Sequence, residues 1–162
     1  MKSATVPIGA SAPDFDFLYN GVTARLSVLR GRVVVLVFFR GHWCQSCRRQ
    51  LAQLGSVYDT IRSLDAELIA ISASSSVSLE PIARGDDHEF PVVADADMRV
   101  IDVYGVRDRD DPEHPRLARP AVFILDAAGV VQFCHVGAHR QDRPALGSIM
   151  IALESIGDNR GF

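Results

Sequence analysis

Three hydrophobic patterns alternate along the chain, and each predicts a different element. Residues 15–19 and 22–27 ("FDFLY", "VTARLS") alternate around "YNGV", whose Asn-Gly suits a tight turn, and predict an N-terminal β-hairpin. "LRGR" at 29–32 predicts a turn. "VVVLVFF" at 33–39 is too continuously apolar for a half-exposed strand and predicts a central strand covered on both faces. Beyond it Leu51, Leu54, Val57, Tyr58, Ile61 and Leu64 recur at three- and four-residue spacing. That spacing predicts one amphipathic helix from near Cys44 to about Leu64. "AELIAISA" at 66–73 predicts a second buried strand, and the Ser-rich stretch after it a capped short helix at about 77–84.

The second half reads in the same way. "FPVVAD" at 90–95 predicts a strand with Pro91 at its start, where a missing N–H does least harm. "ADMRVIDVYGV" predicts a short helix closed by Gly105. Residues 107–116, of mixed charge with two prolines, predict a solvated loop. "AVFILD" and "VVQFCHVG" flank "AAG" as a hairpin, and "DRPALGSIMIALESI" predicts a closing helix with Asp142 as cap and Pro144 in its first turn. This order implies an α/β domain: a mixed central sheet with helices on both faces. Right-handed crossover makes the two buried strands parallel neighbours, and the late hairpin adds antiparallel ones.

At 162 residues the chain suits one domain, 1–162, with a core of its own. A hydrophobic content of 48%, with 23% charged residues, is ordinary for a globular protein. A formal charge of −3 argues against nucleic acid as a partner, and no Lys/Arg block suggests a membrane surface. The opening "MKSATVPIGASAPDFDF" lacks the apolar core of a secretory signal, and no stretch approaches the roughly 20 apolar residues that span a bilayer. The expected location is cytoplasmic.

Chemistry concentrates in "FFRGHWCQSCRRQ", residues 38–50. Cys44 would stand at the junction of a buried strand and a helix, where unpaired N–H groups and the helix dipole favour thiolate. Cys47 lies one turn further in. In such motifs thiol pKa values fall from about 8.5 to roughly 3.5–7. A structural zinc site wants four ligands, so Cys134 and one of His42, His135 or His139 would have to complete it; no metal is expected. An inert buried pair is the other bland reading. The strand–Trp–C-x-x-C–helix context points to a redox couple. Trp43, a flat apolar surface beside the sulfur, suits docking of a partner chain. Cys134, alternating with Gln132 and Val136, reads as a packed small residue, with a role as extra resolving thiol as the sharper alternative.

Taken in order, "APDF" at 12–15, "LRGRVVVLVFFRGHWCQSC", "ISASS" at 71–75, "FPVVADADMRVIDVYGV", "RPAVFILDAAGVVQFCHVG" and "DRP" at 142–144 resemble the redoxins of the thioredoxin fold, and more narrowly the AhpC/TSA (peroxiredoxin-like) family. The resemblance implies a peroxiredoxin-type three-layer α/β/α domain with an N-terminal β-hairpin and thiol chemistry at Cys44. It also implies that Pro120, at the head of a late strand, is a cis proline offering backbone groups to a substrate strand.

The resemblance departs from the family at telling positions. Peroxiredoxins hold their reactive cysteine in P-x-x-x-T/S-x-x-C with an arginine from the late strand. Here the threonine position is Gly41, the proline position Val37, and Pro120 stands where the arginine would. Arg119 is one residue off; Arg40 or His42 are candidate substitutes. Thioredoxins bury an aspartate six residues before the first cysteine, and here that residue is Phe38. A general base for Cys47 is left to His42 or water. The hybrid implies a dithiol–disulfide oxidoreductase, in which Cys44 attacks a disulfide and Cys47 resolves the adduct. A thiol peroxidase with Cys44 peroxidatic and Cys47 resolving is the alternative, and a non-enzymatic redox sensor or binding module the third reading. Expected partners are a disulfide or peroxide substrate and a thioredoxin-like protein or small thiol as reductant. No cofactor is required, and homodimerisation is left open.

Overall fold

The computed structural model describes residues 4–19, 21–83, 90–110 and 116–158. Asn20 of the expected first turn and residues 111–115 of the expected solvated loop lie outside them. The N-terminal hairpin forms from β1 (Asp16–Tyr19) and β2 (Val22–Arg25). β2 is shorter than expected, because Leu26–Leu29 winds into one 3-10 turn. Residues three apart eclipse in that geometry, so Leu26 and Leu29 both enter the core.

A five-stranded sheet follows, in the order β5-β4-β3-β6-β7. Its centre is β3 (Val33–Phe38), parallel to β4 (Ala66–Ser72) and antiparallel to β6 (Ala121–Leu125). The edges are β5 (Val92–Ala94), parallel to β4, and β7 (Val131–Val136), antiparallel to β6. The mixed sheet, the parallel central pair and the late hairpin are as the pattern predicts.

Strand alternation divides the interior into two cores. Val34, Leu36 and Phe38 face Phe15, Phe17, Leu26 and Leu29, together with Ile101 and Tyr104 of α4 (Arg99–Tyr104). Val33, Val35, Val37 and Phe39 face the other way, onto α1 (Gln45–Ser56), α2 (Tyr58–Ser63), α3 (Ser76–Ala83) and α5 (Leu146–Asp158). Four helices thus cover one face, while the hairpin, the 3-10 turn and α4 cover the other. Each such side chain contributes roughly 1.5–3 kcal/mol on burial, so β3, buried at every position, anchors both layers.

Two helix boundaries differ from expectation. The segment after Cys44 breaks into α1 and α2 at Val57, whose φ of −115° and ψ of 11° leave the helical region. A Gly-Ser pair followed by a β-branched residue, Gly55-Ser56-Val57, is a weak point for a helix. The closing helix starts at Leu146, not at Asp142. Asp142 does not cap it: its carboxylate accepts the N–H of Ala138 at 2.7 Å and pairs with His135 at 2.9 Å. Gly105 closes α4 in the left-handed conformation as expected, with φ +71°.

Candidate active site

The two cysteines meet where β3 gives way to α1. Cys44 is the N-cap: its backbone is extended, its N–H donates to the Gly41 carbonyl at 3.2 Å, and its sulfur accepts the Cys47 N–H at 3.3 Å. The sulfur therefore takes one of the helix's unpaired donors and sits at the positive end of a twelve-residue helix. Cys47 Sγ lies 2.7 Å from Cys44 Sγ and donates to it. It also accepts the Arg40 N–H at 3.3 Å. Both residues are buried, Cys47 completely and Cys44 to 5% exposure.

A third group closes the site from α5's leading loop. Arg143 Nη2 is 3.1 Å from Cys47 Sγ and 4.0 Å from Cys44 Sγ. Its Nη1 donates to Gln50 Oε1 at 2.6 Å and its Nε to the Arg140 carbonyl at 2.9 Å. The guanidinium is thus held on three sides against the sulfurs.

These contacts divide the protonation between the two thiols. The Cys47 S–H bond does most to pull the Cys44 pKa down from the ordinary thiol value, to about 5. Burial opposes it, while the Cys47 N–H and the charges of Arg143 and Arg40 reinforce it. Cys47 is pushed up, first because its proton is given to Cys44 and then by burial. Cys44 is the thiolate of the pair and Cys47 the proton holder.

The other expected site residues fall differently. Trp43 is 44% exposed beside the dithiol, with the Arg40 guanidinium 5.3 Å from its ring centre. Arg40 reaches the sulfurs through its backbone N–H and its charge, not through a side-chain bond to either. His42 turns its Nδ1 to the Ser74 hydroxyl at 3.4 Å. Pro120 is buried and trans, with no cis peptide among the described residues. Its carbonyl accepts the Gly137 N–H at 2.7 Å. Pro120 does line an open groove of about 380 Å³ with Arg40, Arg119, Gly137 and Arg140.

Strand parity settles two further expectations. Cys134 pairs across from Phe123 and packs in the hairpin-side core, whereas Cys44 and Cys47 belong to the helix-side core. The sheet separates them, so Cys134 is not a resolving thiol for this pair. Phe38 likewise faces Tyr104 and Phe123, away from the dithiol, so a carboxylate at that position could not have served Cys47. Among the described residues no group of three or more His, Cys, Asp or Glu is placed to hold a metal ion.

The sequence reading missed Arg143 and Gln50. Arg143 was hidden by reading "DRP" as a helix start. Gln50 carried a visible signal: it lies one turn after Cys47, on the same buried face as Leu51 and Leu54. Gly41 has a structural reason. A Cβ there would come within 2.7 Å of Trp43 Nε1 and 2.9 Å of its Cε2, so the indole occupies the space of the family's threonine.

Comparison with known proteins agrees with this geometry. The model of the AhpC/TSA family matches residues 8–134. The chain is 28% identical over 133 residues to a protein named thiol-disulfide oxidoreductase ResA from Geobacillus thermodenitrificans, covering 81% of this chain and 70% of that protein. It is 33% identical over 125 residues to peroxiredoxin 2 of Caldanaerobacter subterraneus, covering 74% of this chain and 56% of that one. In solved structures the fold is shared with Mycobacterium bovis AhpC at a TM-score of 0.80 and 17% identity, over 98% of this chain and 96% of that chain. No helix among the described residues is long and apolar enough to cross a membrane.

Proposed function

The chain belongs to the AhpC/TSA family, and on that premise we propose that it is a dithiol–disulfide oxidoreductase cycling between Cys44/Cys47 dithiol and disulfide. The observation that carries this reading is the pair itself: a thiolate at a helix N-cap with a second sulfur 2.7 Å away. The Cys44 thiolate attacks a substrate disulfide, forming a mixed disulfide and releasing one substrate thiolate. Cys47 then attacks Cys44 Sγ, closes the intramolecular disulfide and releases the second. A thioredoxin-like protein or a small thiol restores the dithiol. Trp43 supplies an apolar face for docking, with Arg40 and the groove beside Pro120 flanking it. The similarity to a named thiol-disulfide oxidoreductase supports this assignment. The reading takes residues 1–162 as one redoxin domain and the cytoplasm, with its reducing thiol pool, as its setting.

Reduction of insulin or of a small disulfide by the protein with a recycling thiol tests the proposal. Turnover that needs both Cys44 and Cys47 is expected; a Cys47→Ser variant working at the full rate refutes it.

A thiol peroxidase is the second reading, favoured by one observation: Arg143 brings a guanidinium within 4.0 Å of Cys44, where the late-strand arginine is missing. Against it stands Gly41, which has no hydroxyl to offer a peroxide. Stopped-flow oxidation of Cys44 by hydrogen peroxide decides: a rate no faster than that of a free thiol removes the peroxidase.

A further inference from the structure

The second step of the cycle needs Cys47 as a thiolate, yet among the described residues no carboxylate or imidazole is bonded to either sulfur. After the Cys44 sulfur at 2.7 Å, the group nearest the buried sulfur is Arg143, closer to Cys47 at 3.1 Å than to Cys44 at 4.0 Å. A guanidinium cannot accept a proton in a protein, so its action is electrostatic. We propose that Arg143 is the catalytic residue that makes Cys47 a nucleophile, by stabilising its thiolate in the mixed disulfide, and that Gln50 is the positioning residue that holds the guanidinium there. This rests on the oxidoreductase reading above.

The geometry also sets the timing. In the resting pair the Cys47 proton is shared with the Cys44 thiolate. Once Cys44 Sγ is bonded to a substrate sulfur, that anion no longer exists, and nothing on Cys44 holds the proton. Arg143 and the Arg40 N–H remain on Cys47. The proton passes through water to the first substrate thiolate, which leaves as a thiol. Cys47 S⁻ then forms the bond to Cys44 Sγ as the Cys44–substrate S–S bond breaks, and the second substrate thiolate takes a proton from solvent. The protein dithiol is oxidised and one disulfide is reduced to two thiols. Gln50 fits its role because its buried Oε1 is given to Arg143 while its Nε2 has no partner among the described residues, a costly arrangement for packing alone.

A chromogenic aromatic disulfide, whose thiol is acidic enough to stay ionised so that the Cys47 proton goes to solvent instead, separates the steps in a Cys134→Ala background, because each step releases one coloured thiolate. For Arg143→Met at neutral pH, the second release is expected to slow about tenfold or more, as for a rise of one pKa unit, with its pH midpoint moved upward. The first release should change less. Arg143→Lys, which keeps the charge, should restore much of the second phase, and Gln50→Leu should slow it by an intermediate factor. Near-ultraviolet circular dichroism checks the fold; if Arg143→Met fails to fold, the Lys and Leu variants read the same phase. An unchanged second phase in the folded variants, or equal slowing of both phases with unmoved midpoints, overturns the inference and leaves the function standing. A first release from the unaltered protein no faster than from a free thiol overturns both.

Discussion

Replacing Cys47 by alanine removes the S–H that does most to stabilise the Cys44 thiolate. The donor sits 2.7 Å from Cys44 Sγ. A hydrogen bond to a charged group contributes about 1.5–3 kcal/mol, and 1.36 kcal/mol corresponds to about one pKa unit. Cys44, now at about 5, should therefore rise by about one to two units, towards the lower figure because S–H is a weak donor. It should not return to an ordinary thiol value. The Cys47 N–H at 3.3 Å stays, as do the charges of Arg143 and Arg40. Cys47→Ser keeps a donor and should shift less. The assay is the rate of alkylation by iodoacetamide against pH in a Cys134→Ala background, with ultraviolet thiolate absorbance as a second measure. An unmoved midpoint in Cys47→Ala would mean that the helix N-terminus and the arginines carry the whole effect, and the division of the proton between the two sulfurs would be wrong.

Two further outcomes follow from the same site. The Cys44 pKa is depressed in the folded protein to about 5, against about 8.5 for an unfolded thiol. Its contribution is thus fully present above about 8.5 and lost as pH falls through the folded value. Urea unfolding of the reduced protein should show a stability advantage over Cys44→Ala that grows from about pH 5 to about pH 8.5; a constant difference refutes the linkage. Gly41→Ala places a methyl against the Trp43 indole, whose half-exposed ring can yield. Tryptophan emission and the Arg40 stacking should change while the melting temperature moves little; unaltered emission contradicts the contact.

The central strands were legible because β3 is an unbroken run of apolar residues and β4 departs from one only at Glu67 and Ser72, the pattern of a strand covered on both faces. The dithiol was legible because spacing and context coincide within one helical turn. What escaped depends on contacts between distant segments. Arg143 lies far along the chain from Cys44, and nothing local announces that a loop returns it to the sulfurs. The start of α5 was misplaced because Asp142, a good cap by type, is claimed by His135 and Ala138. His42 and Pro120 were named by position in a motif, whereas their contacts with the Ser74 hydroxyl and the Gly137 N–H come from other segments that the motif does not contain. Phe38 shows the limit of counting back from a cysteine: one step in strand parity puts a side chain on the far side of the sheet.

The 2.7 Å contact between the sulfurs has a consequence for recognition. A disulfide needs them about 2.05 Å apart, so closing the bond asks little more than a slight turn of two side chains. Oxidised and reduced molecules then share nearly the same outline. What differs is charge: oxidation erases an anion and leaves Arg143 facing a neutral bridge. A reductant that must select the spent form would sense this electrostatic change beneath Trp43, since the silhouette of the molecule tells it almost nothing.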